Sequence, residues 1–393
     1  MNRWLLPEGV EEILSDQALA TEALRRQLLD LFESWGYDLV IPPALEFTDS
    51  LLTGLGADLD LKTLKVTDRV SGKTMGFRAD ISPQVARIDA RMAKEGVNRL
   101  CYAGTVLFTE PADALSSRAP IQIGAELFGV DSVSADLEVI KLMLASLRFV
   151  TEKPLTLDLG HVGFCSWLRK VCEEHDLDAE YLYLLIQSKR LPELEASLSE
   201  GPLDKKARDR LLAIPQLLGG VGVLNQAEKL FEGVEEVLNA VAELRILASE
   251  ISEAEPGIEL FFDLGEMRGS NYHTGVVFGA FVEHLGVAKR IANGGRYNDV
   301  GAVFGNARAA TGFSADLKLL VQLMEAEADT EERYSVYAPI SAEPGFWEQV
   351  TELRVDGVRV ILGYEEDGVT GATLGCQQEL LFHDDEWQLV THN

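Results

Sequence analysis

The spacing of apolar residues changes several times along the chain, and each change marks a predicted element. Residues 11–35 repeat apolar side chains at helical intervals, and Gly36 follows them in the position that closes a helix. Tyr37–Pro43 is then a predicted strand. Two prolines end it. Because proline has no N–H group to donate, this segment is predicted to lie at a sheet edge or a subunit seam, or the prolines only terminate the strand. Residues 64–78 predict a hairpin around Ser71-Gly72.

Asp80 and Ser82 lie where this hairpin leads into the next predicted helix. Ser82 is placed to cap a helix that begins at Pro83. Asp80 precedes that helix directly. Either the positive end of the helix dipole stabilises its carboxylate, or the carboxylate binds a ligand amine.

Two further strands are predicted at residues 99–108 and 120–128, with a polar loop between them. In the second strand Gln122, Gly124 and Glu126 alternate with apolar residues, so they share one face of the sheet. An amide and a carboxylate two residues apart form either a ligand-binding set or a solvated sheet face.

A helical pattern dominates residues 165–252, between a strand predicted at 156–162 and another at 259–264. This length suits an inserted helical bundle. An acidic run at 325–332 has too few apolar residues to pack and predicts a linker. Residues 333–393 alternate strand and helix patterns and predict a small α/β domain.

Two glycine-punctuated stretches between the bundle and the linker carry much of the candidate chemistry. Arg268–Phe278 opens with an arginine and carries polar rings between glycines, and Asn293–Asn298 follows about twenty residues later. These stretches predict a strand edge lining a polar pocket, or a hairpin with an exposed arginine.

Composition narrows the possible partners. The net charge of −29, from 35 basic and 64 acidic residues, opposes a broad phosphate-binding face, so nucleic acid is not an expected partner. The four cysteines and six histidines show neither disulfide nor metal-ligand spacing, and no nucleotide-binding or hydrolase motif is present. No cofactor is therefore expected. Without a signal peptide or a long apolar run, we expect a cytoplasmic protein that does not enter a membrane.

Blocks in a fixed order resemble the core of histidyl-tRNA synthetase, a class II synthetase, over residues 5–324. The resemblance implies an α+β fold in which helices flank an antiparallel sheet, with a helical insertion and a small C-terminal α/β domain. The blocks are motif 1 at Tyr37–Glu46, an amino-group segment at Phe77–Ser82, motif 2 at Tyr102–Gly129, the histidine-specific motifs at Arg268–Phe278 and Gly294–Tyr297, and motif 3 at Gly312–Leu320.

The departures from the synthetase pattern fall on the ATP side. Phe108 and Leu319 stand where the family carries phosphate-binding arginines, and Asp316 replaces a glycine. Each missing guanidinium removes a strong charge-assisted contact. The resemblance therefore implies that amino-acid activation is lost and that no catalytic residue remains.

The positions that bind the amino acid in the synthetase family match this sequence more closely than the ATP-binding positions do. The family's histidine contacts fall on Asp80, Ser82, Gln122, Glu126, Arg268 and Tyr272, while His273 replaces a second tyrosine and Asn271 an aspartate. Arg296 and Tyr297 are expected to support this pocket. Pro43 is expected at the dimer seam.

A synthetase core with a histidine pocket and no ATP site is similar to the regulatory subunits of ATP phosphoribosyltransferase. This resemblance implies a homodimeric core, assembly with a short catalytic subunit in a hetero-octamer, and feedback inhibition by L-histidine. Two alternatives stay open: a divergent histidyl-tRNA synthetase and a stand-alone histidine-binding regulator. The expected domains are a core at 1–324, with its insertion at 165–252, the linker at 325–332 and the C-terminal domain at 333–393.

Overall fold

The structure is a computed structural model that describes residues 4–52, 57–111, 116–199, 202–266, 272–305, 307–325, 334–364 and 368–391. The chain separates into two compact units, residues 1–326 and 327–393, which are described separately. The finer division with an insertion at 165–252 stays a proposal. Residues 326–332 of the predicted linker lie outside the described residues.

The N-terminal unit contains twelve strands and twelve α-helices among its described residues. The strands are β1 (Asp38–Leu39), β2 (Leu45–Phe47), β3 (Lys65–Thr67), β4 (Thr74–Phe77), β5 (Asn98–Thr105), β6 (Ile121–Phe128), β7 (Leu155–His161), β8 (Leu218–Gly219), β9 (Glu259–Asp263), β10 (Val276–His284), β11 (Val287–Arg296) and β12 (Ala310–Asp316). The helices are α1 (Ser15–Ser34), α2 (Thr48–Leu51), α3 (Ala57–Lys62), α4 (Ser82–Met92), α5 (Val133–Leu147), α6 (Gly163–His175), α7 (Ala179–Gln187), α8 (Leu191–Ser199), α9 (Lys205–Ala213), α10 (Gly222–Leu230), α11 (Glu235–Ala254) and α12 (Leu317–Glu325).

Nine of these strands form one sheet, in the order β1-β5-β6-β12-β11-β10-β7-β9-β8. The strands from β5 to β7 pair antiparallel, whereas β1 with β5 and β7 with β9 pair parallel. The register aligns Glu126, Gly312, Gly295, Val277 and Gly160 in one row across the sheet. Because paired residues share a face, this row lies on the face that carries Gln122 and Gly124.

The two faces of the sheet have different roles. Helices α1, α5, α11 and α12 pack on one face and bury the main core, with side chains such as Phe32, Val139 and Leu159. On the other face, a smaller cluster that includes Ile81, Val85 and Tyr102 holds α4 against the sheet. Gln122 and Glu126 lie on this second face.

One local prediction was wrong. The helix begins at Ser82 rather than Pro83, and no side chain caps it, because the Ser82 hydroxyl instead bonds Tyr102 (3.0 Å). Within the mainly helical region 165–252, Leu218–Gly219 adds a two-residue strand to β9. Two residues are too few to give a periodic signal.

Among its described residues, the C-terminal unit has a four-stranded sheet and one α-helix. Its strands are β13 (Ser335–Pro339), β14 (Arg359–Gly363), β15 (Gln378–His383) and β16 (Glu386–Thr391), in the order β14-β13-β15-β16, and its helix is α13 (Phe346–Val355). Phe346 and Val350 of the helix pack on Val336 and Leu380 of the sheet. Across the described part of the chain, no helix has the length and apolar character needed to cross a bilayer.

Candidate functional site

Asp80 lies just before α4, on the polar face of the sheet. One of its carboxylate oxygens accepts hydrogen bonds from the Ser82 backbone N–H (3.2 Å) and from the Gln122 amide (2.8 Å). The other end of the Gln122 amide accepts the N–H of Ile81 (2.9 Å). Gln122 thus joins β6 to the start of α4. Burial raises the pKa of Asp80 above its usual range.

Glu126 lies at the centre of the polar face and is 1% exposed. The hydroxyl of Tyr102 donates to one carboxylate oxygen (3.1 Å), and the hydroxyl of Tyr297 donates to the other. Ser82 in turn bonds Tyr102, so one hydrogen-bonded chain runs from α4 to Tyr297, just after β11. Burial raises the pKa of Glu126 to about 7, partly offset by the hydroxyl hydrogen bonds.

Tyr272 and His273 border this network. The ring of Tyr272 stacks on Tyr297, with 5.2 Å between ring centroids, and lies edge-to-face with His273. The Tyr272 hydroxyl is buried, and it has no hydrogen-bond partner among the described residues. Nδ1 of His273 lies 3.3 Å from the carbonyl oxygen of Arg296. Burial lowers the pKa of His273 to about 4.

The structure therefore brings together Asp80, Ser82, Gln122, Glu126, Tyr272, His273 and Tyr297. Arg268, the expected partner of a ligand carboxylate, lies outside the described residues, as does Asn271.

The side chain of Arg296 points to the opposite face of the sheet. Its guanidinium bonds the buried carboxylate of Asp136 on α5 (2.9 Å) and the carbonyl oxygens of Val130 and Ser132. Only its backbone carbonyl reaches the pocket, through His273. Arg296 thus supports the pocket from behind rather than lining it.

Pro43 lies beside the edge strand β1, away from the pocket. Its carbonyl oxygen accepts the Gln84 amide (2.8 Å), and the neighbouring Pro42 carbonyl accepts a guanidinium N–H of Arg78 (2.7 Å). Ile41 in the same segment is 82% exposed and Leu39 is 49% exposed. This edge therefore carries apolar surface within a single chain.

The positions that depart from the synthetase pattern carry no phosphate-binding charge. Phe108 packs against the cluster beside α4, and Leu319 packs against the main core. Asp316 faces the polar side opposite Gln122, where its carboxylate accepts the N–H groups of Ile121 and Lys318. Burial raises its pKa. An acidic group and two apolar side chains do not form a triphosphate site.

The floor of the pocket is made of glycines. A Cβ on Gly312 would overlap the Glu126 carboxylate, and one on Gly124 would lie 2.7 Å from the Tyr102 hydroxyl. A Cβ on Gly295 would lie 2.8 Å from Nδ1 of His273. The polar side chains of the pocket therefore require glycine at these positions of the sheet.

Tyr102 is the site residue that sequence reasoning missed. It pairs with Gly124 across β5 and β6, and its hydroxyl bonds both Ser82 and Glu126. Its only sequence signal was its position in a strand opposite a glycine, which required the register to be known.

Comparisons with known proteins agree with this geometry. A family model described as histidyl-tRNA synthetase matches residues 9–320, and one described as the ATP phosphoribosyltransferase subunit HisZ C-terminal domain matches residues 333–390. An ATP phosphoribosyltransferase regulatory subunit from Pseudomonas paraeruginosa is 46% identical, over 99% of this chain and 98% of its own length. The chain belongs to the family of ATP phosphoribosyltransferase regulatory subunits. A second member, from Azotobacter vinelandii, is 47% identical over the same shares.

Solved structures confirm the predicted class II synthetase-like fold for this regulatory-subunit family member. A Bacillus halodurans protein titled ATP phosphoribosyltransferase regulatory subunit/histidyl-tRNA synthetase superposes with a TM-score of 0.82 at 26% identity, covering 96% of this chain and 97% of that one. A histidyl-tRNA synthetase from Nostoc sp. PCC 7120 gives a TM-score of 0.77 at 16% identity, over 100% and 97% of the two chains. At 16% identity the likeness concerns the fold alone.

Proposed function

We propose that the chain binds L-histidine in the pocket of Asp80 and Glu126 and conveys feedback inhibition to a short ATP phosphoribosyltransferase catalytic subunit, which it also activates. As a regulatory subunit of ATP phosphoribosyltransferase it has a non-catalytic role in histidine biosynthesis. The histidine site and its effect on the catalytic subunit are the proposed parts.

The observation that carries the proposal is the pairing of two carboxylates, the buried Glu126 and the half-buried Asp80, with neutral partners. Asp80 bonds an amide and a backbone N–H, and Glu126 bonds two tyrosine hydroxyls. No described cation bonds either group. Buried carboxylates without a counter-charge are costly, so a ligand with a cationic amine is favoured there. An amino acid with a basic ring fits both carboxylates.

The Tyr272 hydroxyl offers a direct test, because no described residue satisfies it. A buried hydroxyl without a partner costs about 1–3 kcal/mol. We expect Tyr272→Phe to leave the free protein as stable as the wild type, or more stable, and to lower histidine affinity about tenfold. Calorimetry with L-histidine and urea unfolding measure the two effects.

Tyr37→Phe is the matched control, because its hydroxyl already bonds Glu138 (3.0 Å) away from the pocket. That variant should lose stability and bind histidine normally. Unchanged histidine affinity in Tyr272→Phe, or no histidine binding by the wild type alone or in complex, would contradict the proposed site. Binding only in the complex would move the site to a subunit seam.

The two alternatives make different predictions. A divergent synthetase would catalyse histidine-dependent exchange between ATP and pyrophosphate, whereas Phe108 and Leu319 leave no phosphate-binding arginine at their positions. We expect no exchange. A stand-alone histidine sensor would not raise the turnover of a short catalytic subunit, whereas we expect such activation.

The proposed assembly is a hetero-octamer built on homodimers of the core. Support for the dimer comes from the exposed apolar side chains of Leu39, on the edge strand β1, and Ile41, between that strand and Pro43. Ile41→Glu would place a charge on this surface, so we expect it to weaken dimers. Native mass spectrometry measures this, with Val70→Glu, at an exposed hairpin turn, as the control.

A further inference from the structure

Beside the proposed pocket lies a cavity of about 240 Å³ between β7, β10 and β11. This volume is smaller than that of pockets for drug-sized ligands and suits a small ring. The side chains that border it include polar groups of both charges and a ring: Asp158, Glu266, His273, Phe281, Arg290 and Asn293. His273 belongs both to this cavity and to the aromatic border of the Glu126 network.

The hydrogen bond of His273 to the backbone fixes its tautomer. A carbonyl oxygen only accepts, so Nδ1 must carry the proton that it donates to Arg296 (3.3 Å). In the neutral ring Nε2 is then a lone-pair acceptor. The low pKa of His273, about 4, keeps the ring neutral at physiological pH.

The position of the ring leaves this acceptor available. Nδ1 and Cε1 are the ring atoms that a Cβ on Gly295 would meet, and the His273 ring borders the cavity. The edge-to-face contact with Tyr272 fixes the plane of the ring. None of the hydrogen bonds found within the described ranges involves Nε2.

We infer that His273 accepts an N–H from the ring of the bound effector through Nε2 and thereby sets the side-chain specificity of the pocket. This inference rests on the proposed histidine site. A tyrosine hydroxyl at this position would donate or accept, whereas Nε2 in this tautomer only accepts. The effector class is thus an amino acid whose small ring carries an N–H.

The test compares L-histidine with β-(2-thienyl)-L-alanine, which has a five-membered ring and no N–H, by calorimetry on the full chain with its catalytic subunit. We expect wild type to prefer histidine by about 100-fold, since an analogue without the N–H leaves a buried acceptor unpaired. His273→Phe should reduce the preference to within about threefold, and His273→Gln, which keeps an acceptor, should restore part of it. His284→Phe, at the far end of β10, should behave as wild type.

A His273→Phe variant that binds histidine with the full preference would overturn this inference and leave the proposed pocket standing. Absence of histidine binding by wild type would overturn the proposed function and this inference together. Should His273→Phe fail to fold, the wild-type ratio decides: a value near one overturns the inference, and a value near 100 with partial retention in His273→Gln supports it.

Discussion

Glu126 makes the stability of the free protein depend on pH in a direction opposite to that of most carboxylates. Its pKa is about 7 in the folded chain against an ordinary value of 4.5, because burial disfavours the ionised form. The folded state therefore binds this proton more tightly than the unfolded state does. The contribution is fully present below pH 4.5 and is lost as pH rises through 7. At 1.36 kcal/mol per pH unit, the loss is about 3 kcal/mol.

Glu126→Gln should remove this dependence. We expect the stability difference between variant and wild type to shift by about 2.5 kcal/mol in favour of the variant between pH 5 and pH 8. Urea unfolding followed by circular dichroism measures it, because all described α-helices except α13 lie in the N-terminal unit.

Glu138→Gln is the control, because the hydrogen bond from Arg99 lowers the pKa of Glu138. The stability that Glu138 contributes is lost only as the pH falls below its ordinary range, so this variant should show the wild-type trend between pH 5 and 8. Equal pH trends in wild type and Glu126→Gln would refute the reasoning.

The same proton should appear in ligand binding. A cationic ligand beside Glu126 favours its ionised form, so histidine should displace up to about half a proton at pH 7, where the group is roughly half protonated. Calorimetry in buffers of different ionisation enthalpy counts the released protons. Proton release that persists in Glu126→Gln would assign the linkage to another group.

Two further substitutions follow from the geometry of the sheet. Gly312→Ala would force the Glu126 carboxylate aside, so we expect histidine affinity to fall at least about tenfold by calorimetry. Gly220→Ala, whose Cβ would meet nothing within 4 Å, should bind as wild type, and equal affinities would contradict the packing argument. Arg296→Met leaves Asp136 buried without its cation, and the free energy of unfolding should fall by about 3–5 kcal/mol. Arg296→Met combined with Asp136→Leu should recover most of that loss in urea unfolding.

The strand that carries Gln122 and Glu126 shows what the sequence predicts well. Its strict alternation of polar and apolar residues placed both groups on one face, and the register of β6 with β12 confirms it. The same alternation explains why the side chain of Arg296 lies behind the pocket. It pairs with Thr311, next to the row that holds Gly312, so its side chain faces the helices. Local pattern was sufficient in both cases, once the strand boundaries were known.

Contacts between residues that are far apart in the sequence could not be predicted from the local pattern. Ser82 has the sequence context of a helix cap, yet the hydroxyl of Tyr102 on another strand competes for it. The two tyrosines that bond Glu126 come from opposite sides of its strand, on β5 and after β11. Their convergence depends on strand order, which periodicity does not encode. The tautomer of His273 likewise depends on a backbone carbonyl twenty-three residues away.

The glycine floor has a consequence for mutational tolerance. At Gly124, Gly295 and Gly312 even the methyl group of alanine would collide with a side chain of the pocket. Small substitutions at these positions therefore cannot fill the pocket step by step without disturbing those side chains. We consider a saturation library scored by growth of a histidine auxotroph that depends on the complex. Substitutions at these three positions should distinguish variants that cannot fold from variants that fold but no longer bind histidine. Variants that still support growth there should be the ones that escape inhibition by added histidine. A single substitution at one of these few glycines would thus be enough to abolish feedback inhibition by histidine.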